Sequence, residues 1–116
     1  MLNVEKFKIA NLTKDFISRI DANLVNFPNK EIELKRKIKE ESLNLLELVY
    51  LANETHDVGI RLNAQDKVIA KVKFIDYLIN VCFDKKIIDK KKYLKFRRGV
   101  GTNYYVRLCL ASRSDE

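Results

Sequence analysis

Apolar positions recur at spacings of three and four along most of the chain, and this pattern predicts four helices. The first covers about residues 4–26, where Phe16, Ile17, Ile20, Leu24 and Phe27 form one stripe. Pro28 disfavours helical geometry at the residue before it and ends that segment. Asn29 then offers an N-cap for a second helix over 30–53, with Glu31 and Glu33 in the first turn, where the helix dipole favours acids. Its stripe is Leu34, Ile38, Leu45, Val49 and Ala52, widened by Leu46 and Tyr50. The polar stretch from Glu54 to Gly59 reads as a break, and Asn63 as the cap of a third helix over 63–84. That helix has two stripes: Val68, Val72, Ile75, Ile79 and Cys82, and then Phe74, Leu78 and Val81. Two apolar faces imply a deep position or contact with a neighbouring subunit. Asp89 caps a fourth helix over 89–111, with Tyr93, Phe96, Val100, Tyr104, Leu108 and Ala111 at helical spacing. Gly99 and Gly101 fall inside it, each costing about 1 kcal/mol relative to Ala, so a kink or an early end is expected there. Tyr104 and Tyr105 are adjacent and cannot both face inward, and Ser112 to Glu116 is expected to fray.

Four amphipathic helices with short connections give an all-α, up-down-up-down four-helix bundle as one domain over residues 1–116. Composition agrees. Only 3 Gly and 1 Pro interrupt 116 residues, and 47% hydrophobic residues suffice for one core. A core of this size is modest, and self-association would bury more surface. Cys82 and Cys109 lie among apolar neighbours without Cys or His at metal-ligand spacing, which predicts buried free thiols. Met1 to Lys6 does not open a signal peptide, and no apolar run approaches the roughly 20 residues needed to cross a bilayer, so a cytoplasmic location and no membrane partner are expected.

Charge changes the picture more. The formal net charge is +7, which favours an anionic partner. Eight cations fall between Lys85 and Arg98: Lys85, Lys86, Lys90, Lys91, Lys92, Lys95, Arg97 and Arg98, opposed within that run only by Asp89. Lys91, Lys95 and Arg98 share one helical face, suited to backbone phosphates through salt-sensitive counterion release. Lys67, Lys71 and Lys73 on the third helix form a second candidate group with few acidic neighbours. Lys35, Arg36 and Lys39 are interleaved with Glu33, Glu40 and Glu41 and read as intrahelical ion pairs. Tyr93 and Phe96 adjoin the basic run but fit the core stripe.

Catalytic chemistry has little to stand on. The one histidine, His56, lies in the second loop beside Asp57 and reads as a solvated side chain. Gly99-Val100-Gly101 lacks the further glycine and preceding strand of a phosphate loop. Glu40, Glu41 and Glu47 are followed by no Glu-x-x-His, which excludes a di-iron bundle. No enzymatic activity and no cofactor are expected.

Two stretches, in order and spacing, resemble a known group. One is Asn26-Phe27-Pro28-Asn29 followed by a helix with Ile38 and the run from Leu43 to Ala52; the other is Asp84 to Tyr93, with the pattern D-x-K-x-I-x-x-K-x-Y. Together they resemble the accessory variability determinant (Avd-like) proteins of diversity-generating retroelements. These are grouped with the four-helix-bundle proteins encoded in intervening sequences of bacterial 23S ribosomal RNA genes. The resemblance covers residues 16–96. It implies a homopentameric barrel of four-helix protomers and a non-catalytic accessory role. The implied partners are the element's reverse transcriptase and its template RNA, and by extension the complementary DNA made during mutagenic synthesis. Two positions depart from the group: Asp76 and Asn80 align with places that often carry arginine, and the chain lacks tryptophan near its end. The alternatives are a ribosomal-RNA intervening-sequence protein and a helical protein-interaction module without nucleic-acid binding.

Overall fold

The computed structural model describes residues 3–96, with side chains over 8–95. Those residues form four helices, with no strand among them: α1 Asn3–Asn23, α2 Ile32–Glu54, α3 Val58–Asp84 and α4 Lys90–Phe96. The all-helical bundle expected from the periodicity is therefore what the described residues build. α2 packs most extensively on α3, α1 lies along α2, and α4 rests against both α1 and α3. The described residues extend 43 × 25 × 18 Å. The long axis matches the roughly 40 Å length of a 27-residue helix such as α3.

The predicted stripes supply the core. Phe16, Ile20 and Leu24 from α1 and the turn after it meet Ile38, Leu45 and Val49 from α2 and Val68, Val72, Ile75, Ile79 and Cys82 from α3, all buried. Two hydroxyls in this core, Thr13 and Ser42, each donate to the carbonyl four residues earlier, Ile9 and Ile38, at 2.8 Å. Each hydroxyl thus satisfies its donor within its own helix. Other members of the predicted stripes lie further out: Ile17, Phe27, Leu34, Leu46, Val81 and Tyr93 are half-buried, and Tyr50 and Phe74 are exposed.

The helix boundaries differ from those expected, each for a local reason. α1 ends at Asn23 rather than near residue 26. The Asn23 amide donates back to the Arg19 carbonyl at 2.9 Å, and the backbone turns with Leu24 N–H bonded to Asp21 O. Leu24 and Phe27 still reach the core from this turn, which is why their spacing mimicked a continuing helix. Asn29 does not cap α2. A 3-10 turn, Asn29–Glu31, intervenes, and its first bond runs from Glu31 N–H to the Pro28 carbonyl at 3.0 Å. α3 begins five residues earlier than expected, because Asp57 and not Asn63 is the cap: its Oδ1 accepts from Ile60 N–H at 2.9 Å. The loop shrinks to residues 55–57, and Gly59 sits in the first helical turn. The start of α4 follows expectation, with Asp89 Oδ1 accepting from Lys92 N–H at 2.8 Å. The expected continuation to residue 111, with Gly99, Gly101, Tyr104, Tyr105 and Cys109, lies outside the described residues, as does the frayed end from Ser112.

The α3–α4 connection is built by a Schellman motif. Ile87 N–H bonds Cys82 O at 2.8 Å and Lys86 N–H bonds Phe83 O at 2.9 Å, with Lys86 in the left-handed region at φ 61°. The turn drives Ile88 into the core, at 3% exposure.

Candidate nucleic-acid interface

The basic run is assembled on this turn. Lys85 and Lys86 lie in the turn after α3, and Lys90, Lys91 and Lys92 in the first turn of α4, with Lys95 one turn on; all six are exposed. Ile88 inside and Asp89 at the cap hold α4 in place, as does Tyr93, which stacks on Phe83 at 4.4 Å between ring centroids and 13° between planes. The Tyr93 hydroxyl donates to Asn80 Oδ1. Tyr93 is thus committed to packing rather than offered to a base. Asn80 here anchors α4.

The candidate cations do not form one surface. Lys85 lies 3.1 Å from Glu31, which reaches it from the turn before α2. Lys86 and Lys90 border an open depression also lined by Asp84 and Asp89. Lys91, Lys92 and Lys95 lie beyond it, and no carboxylate contacts them among the described residues. Arg97 and Arg98 lie outside the described side chains, so the predicted Lys91–Lys95–Arg98 face is described for its first two members only.

On α3 the second candidate group divides. Lys67 and Lys73 are exposed. Lys71 instead faces α2, with its ammonium 2.6 Å from Oε2 of Glu41. Lys37 reaches Oε1 of the same carboxylate at 2.9 Å and lies over the Phe74 ring at 5.9 Å from its centroid. Burial favours the neutral form of Glu41, but the two ammonium groups outweigh it and hold the carboxyl below its ordinary range. Glu41 in turn raises Lys37. Lys71 is therefore part of the α2–α3 seam. The expected intrahelical pairing on α2 holds for Arg36 with Glu33 and extends to Lys37 with Glu41, while Glu41 also crosses to α3, which sequence spacing did not indicate.

One convergence was invisible in the sequence. Lys92 and Lys95 line a small cleft together with Arg19, Ala22 and Asn23 from the end of α1. Arg19 carried no signal of its own, because only the packing of α4 on α1 brings it to the basic run.

The other reactive groups are kept apart or occupied. Cys82 is a buried free thiol, as expected; burial first, then the charge of Glu31, pushes its pKa up to about 11, against the opposing effect of Lys85. His56 is exposed in the 55–57 loop, and its neighbour Asp57 is taken up as the α3 cap. Cys82 and His56 lie at opposite ends of α3, on the order of 35–40 Å apart along its axis. Among the described residues no group of His, Cys, Asp and Glu is placed to hold a metal ion, and no helix is long and apolar enough to cross a membrane. Compared with protein-family models, curated proteins and solved structures, the chain matches none.

Proposed function

We propose that this chain is a non-catalytic RNA-binding accessory protein of a diversity-generating retroelement, one that engages the element's reverse transcriptase and its template RNA in the cytoplasm. The observation that carries the RNA-binding part is the exposed cluster Lys91, Lys92 and Lys95 at one end of the bundle, with Lys86 and Lys90 beside it. Cations without paired carboxylates keep their full attraction for backbone phosphates, and each phosphate contact adds to the salt dependence of binding. The retroelement part rests on the sequence resemblance over residues 16–96.

Assembly into a homopentameric ring is the second part of the reading. It is supported by apolar side chains left on the outside: Leu43 on α2, and Phe74 and Tyr77, stacked at 6.5 Å on α3. An apolar patch of this kind suits a contact with a neighbouring copy that leaves the basic end open to RNA. α2 also displays Glu33, Glu40, Glu47 and Glu54, exposed and at seven-residue spacing.

The test is RNA retention. The purified protein is expected to shift structured RNA in a gel, with affinity falling steeply between 50 and 200 mM salt on the scale of about tenfold or more. Lys91→Glu with Lys95→Glu is expected to abolish the shift, and unaltered binding by that pair overturns the assignment of the interface. A reverse transcriptase and a template/variable repeat pair beside the coding region are expected. A position inside a 23S ribosomal RNA gene would favour the intervening-sequence reading. Salt-insensitive assembly with no RNA retained would favour a protein-interaction module.

A further inference from the structure

We infer that the cleft between the end of α1 and α4 is a seat for one phosphate group, with Arg19, Lys92 and Lys95 as its ligands. Three cationic side chains from two separate helices line it, together with Ala22 and Asn23. Its volume of about 200 Å³ lies below the roughly 300–1,000 Å³ of pockets that enclose drug-sized molecules. That size is ample for a phosphate group.

Arg19 is oriented for the task. Its Nε donates to Asp15 Oδ2 at 3.1 Å, one turn back on α1. This contact fixes the plane of the guanidinium and leaves its two terminal amino groups as a fork for phosphate oxygens. Lys92 and Lys95 have no carboxylate partner among the described residues. Asp15 offsets part of the Arg19 charge, and with Lys92 and Lys95 the cleft keeps an excess of positive charge that attracts an anion. Ala22 matters through its size: a larger side chain at this exposed position fills the cleft without altering the charge.

This assignment rests on the nucleic-acid reading above and sharpens it. The seat takes a phosphodiester of the RNA backbone, and Arg19, absent from the basic run, is one of its contacts. The shared chemistry of phosphate allows a second source, a free phosphoryl anion, and the experiment separates the two. Amide and Arg19 Nε resonances of the full chain are followed during titration with pyrophosphate. RNA binding is measured in parallel by fluorescence anisotropy from 0.05 to 0.3 M salt. The wild type is expected to show shifts at Arg19, Ala22 and Asn23 with both ligands. Arg19→Ala and Ala22→Leu are each expected to weaken RNA binding roughly five- to tenfold at 0.1 M salt and to lower the salt slope by about 1. Ala22→Leu is the decisive variant, because it blocks the cleft and leaves net charge at the wild-type value. Equal affinity and slope for both variants and the wild type overturns the seat while leaving RNA binding elsewhere on the surface intact. Pyrophosphate shifts without RNA binding would support the seat and overturn the RNA reading. Unshifted Ala22 and Asn23 with both ligands would overturn the seat.

Discussion

Glu41, at 5% exposure, keeps its charge in the α2–α3 seam because Lys37 and Lys71 reach its two oxygens from different helices. Removing one partner from a buried acceptor costs about 1–3 kcal/mol. Lys71→Met is expected to fall toward the lower end, since Lys37 remains, and to lower the urea midpoint with an unchanged slope. The same carboxylate gives an acid limb to stability. Its folded-state pKa lies below the ordinary 4.5, so its contribution is present above that value and is lost as pH falls through the lower folded value. Glu41→Gln is expected to flatten the loss of stability below about pH 4.5, read from denaturation curves at successive pH. Cys82 behaves in the opposite sense. Its thiol pKa is raised to about 11, so its contribution is fully present below 9.0 and fades as pH rises toward 11. A thiol-specific reagent at pH 8 is expected to leave Cys82 unmodified in the folded chain and to label it on unfolding; rapid labelling in native buffer contradicts its burial.

Elements are set by their ends. α3 depends on Asp57, whose carboxylate satisfies the Ile60 N–H, and Asp57→Ala is expected to cost about 1 kcal/mol. At the other end Lys86 holds a left-handed conformation that costs an L-residue about 1–2 kcal/mol relative to the right-handed helical one. Lys86→Gly is expected to stabilise the chain by about 1 kcal/mol, after allowance for the greater chain entropy of glycine when unfolded. A lower urea midpoint for this variant would mean that the Schellman turn is not what joins α3 to α4. The stripes of α1, α2 and α3 were legible in the sequence because burial demands a helical repeat. The boundaries were less legible. Leu24 and Phe27 keep the spacing of α1 after its backbone has turned, and Asn63 resembles a cap although Asp57 does the capping. Ile88 went unnoticed as a core residue because its burial depends on the turn and not on a repeat.

At the scale of the whole molecule, charge and apolar surface are distributed unevenly. The basic end formed by the α3–α4 turn and α4 contrasts with the acidic line on α2, and Phe74 and Tyr77 stay outside the core. If the protomer assembles through this outer face, Phe74→Glu with Tyr77→Glu is expected to reduce the mass measured by light scattering to that of one chain while helix content stays unchanged. An assembly that survives both changes does not use this face. The RNA-binding reading belongs to the same scale, since it depends on several cations held at one end and not on any single one.

The sequence by itself determined that the described chain is helical, which faces are buried, and that one stretch concentrates positive charge. Each of these follows from local periodicity or composition, which the chain carries before it folds. The tertiary structure decided which charges remain available. Lys71 and Lys85 are drawn to Glu41 and Glu31, and Arg19 is brought to Lys92 and Lys95. The reason is physical: the worth of a charge depends on what lies within a few ångströms of it, and for these residues those neighbours come from other helices.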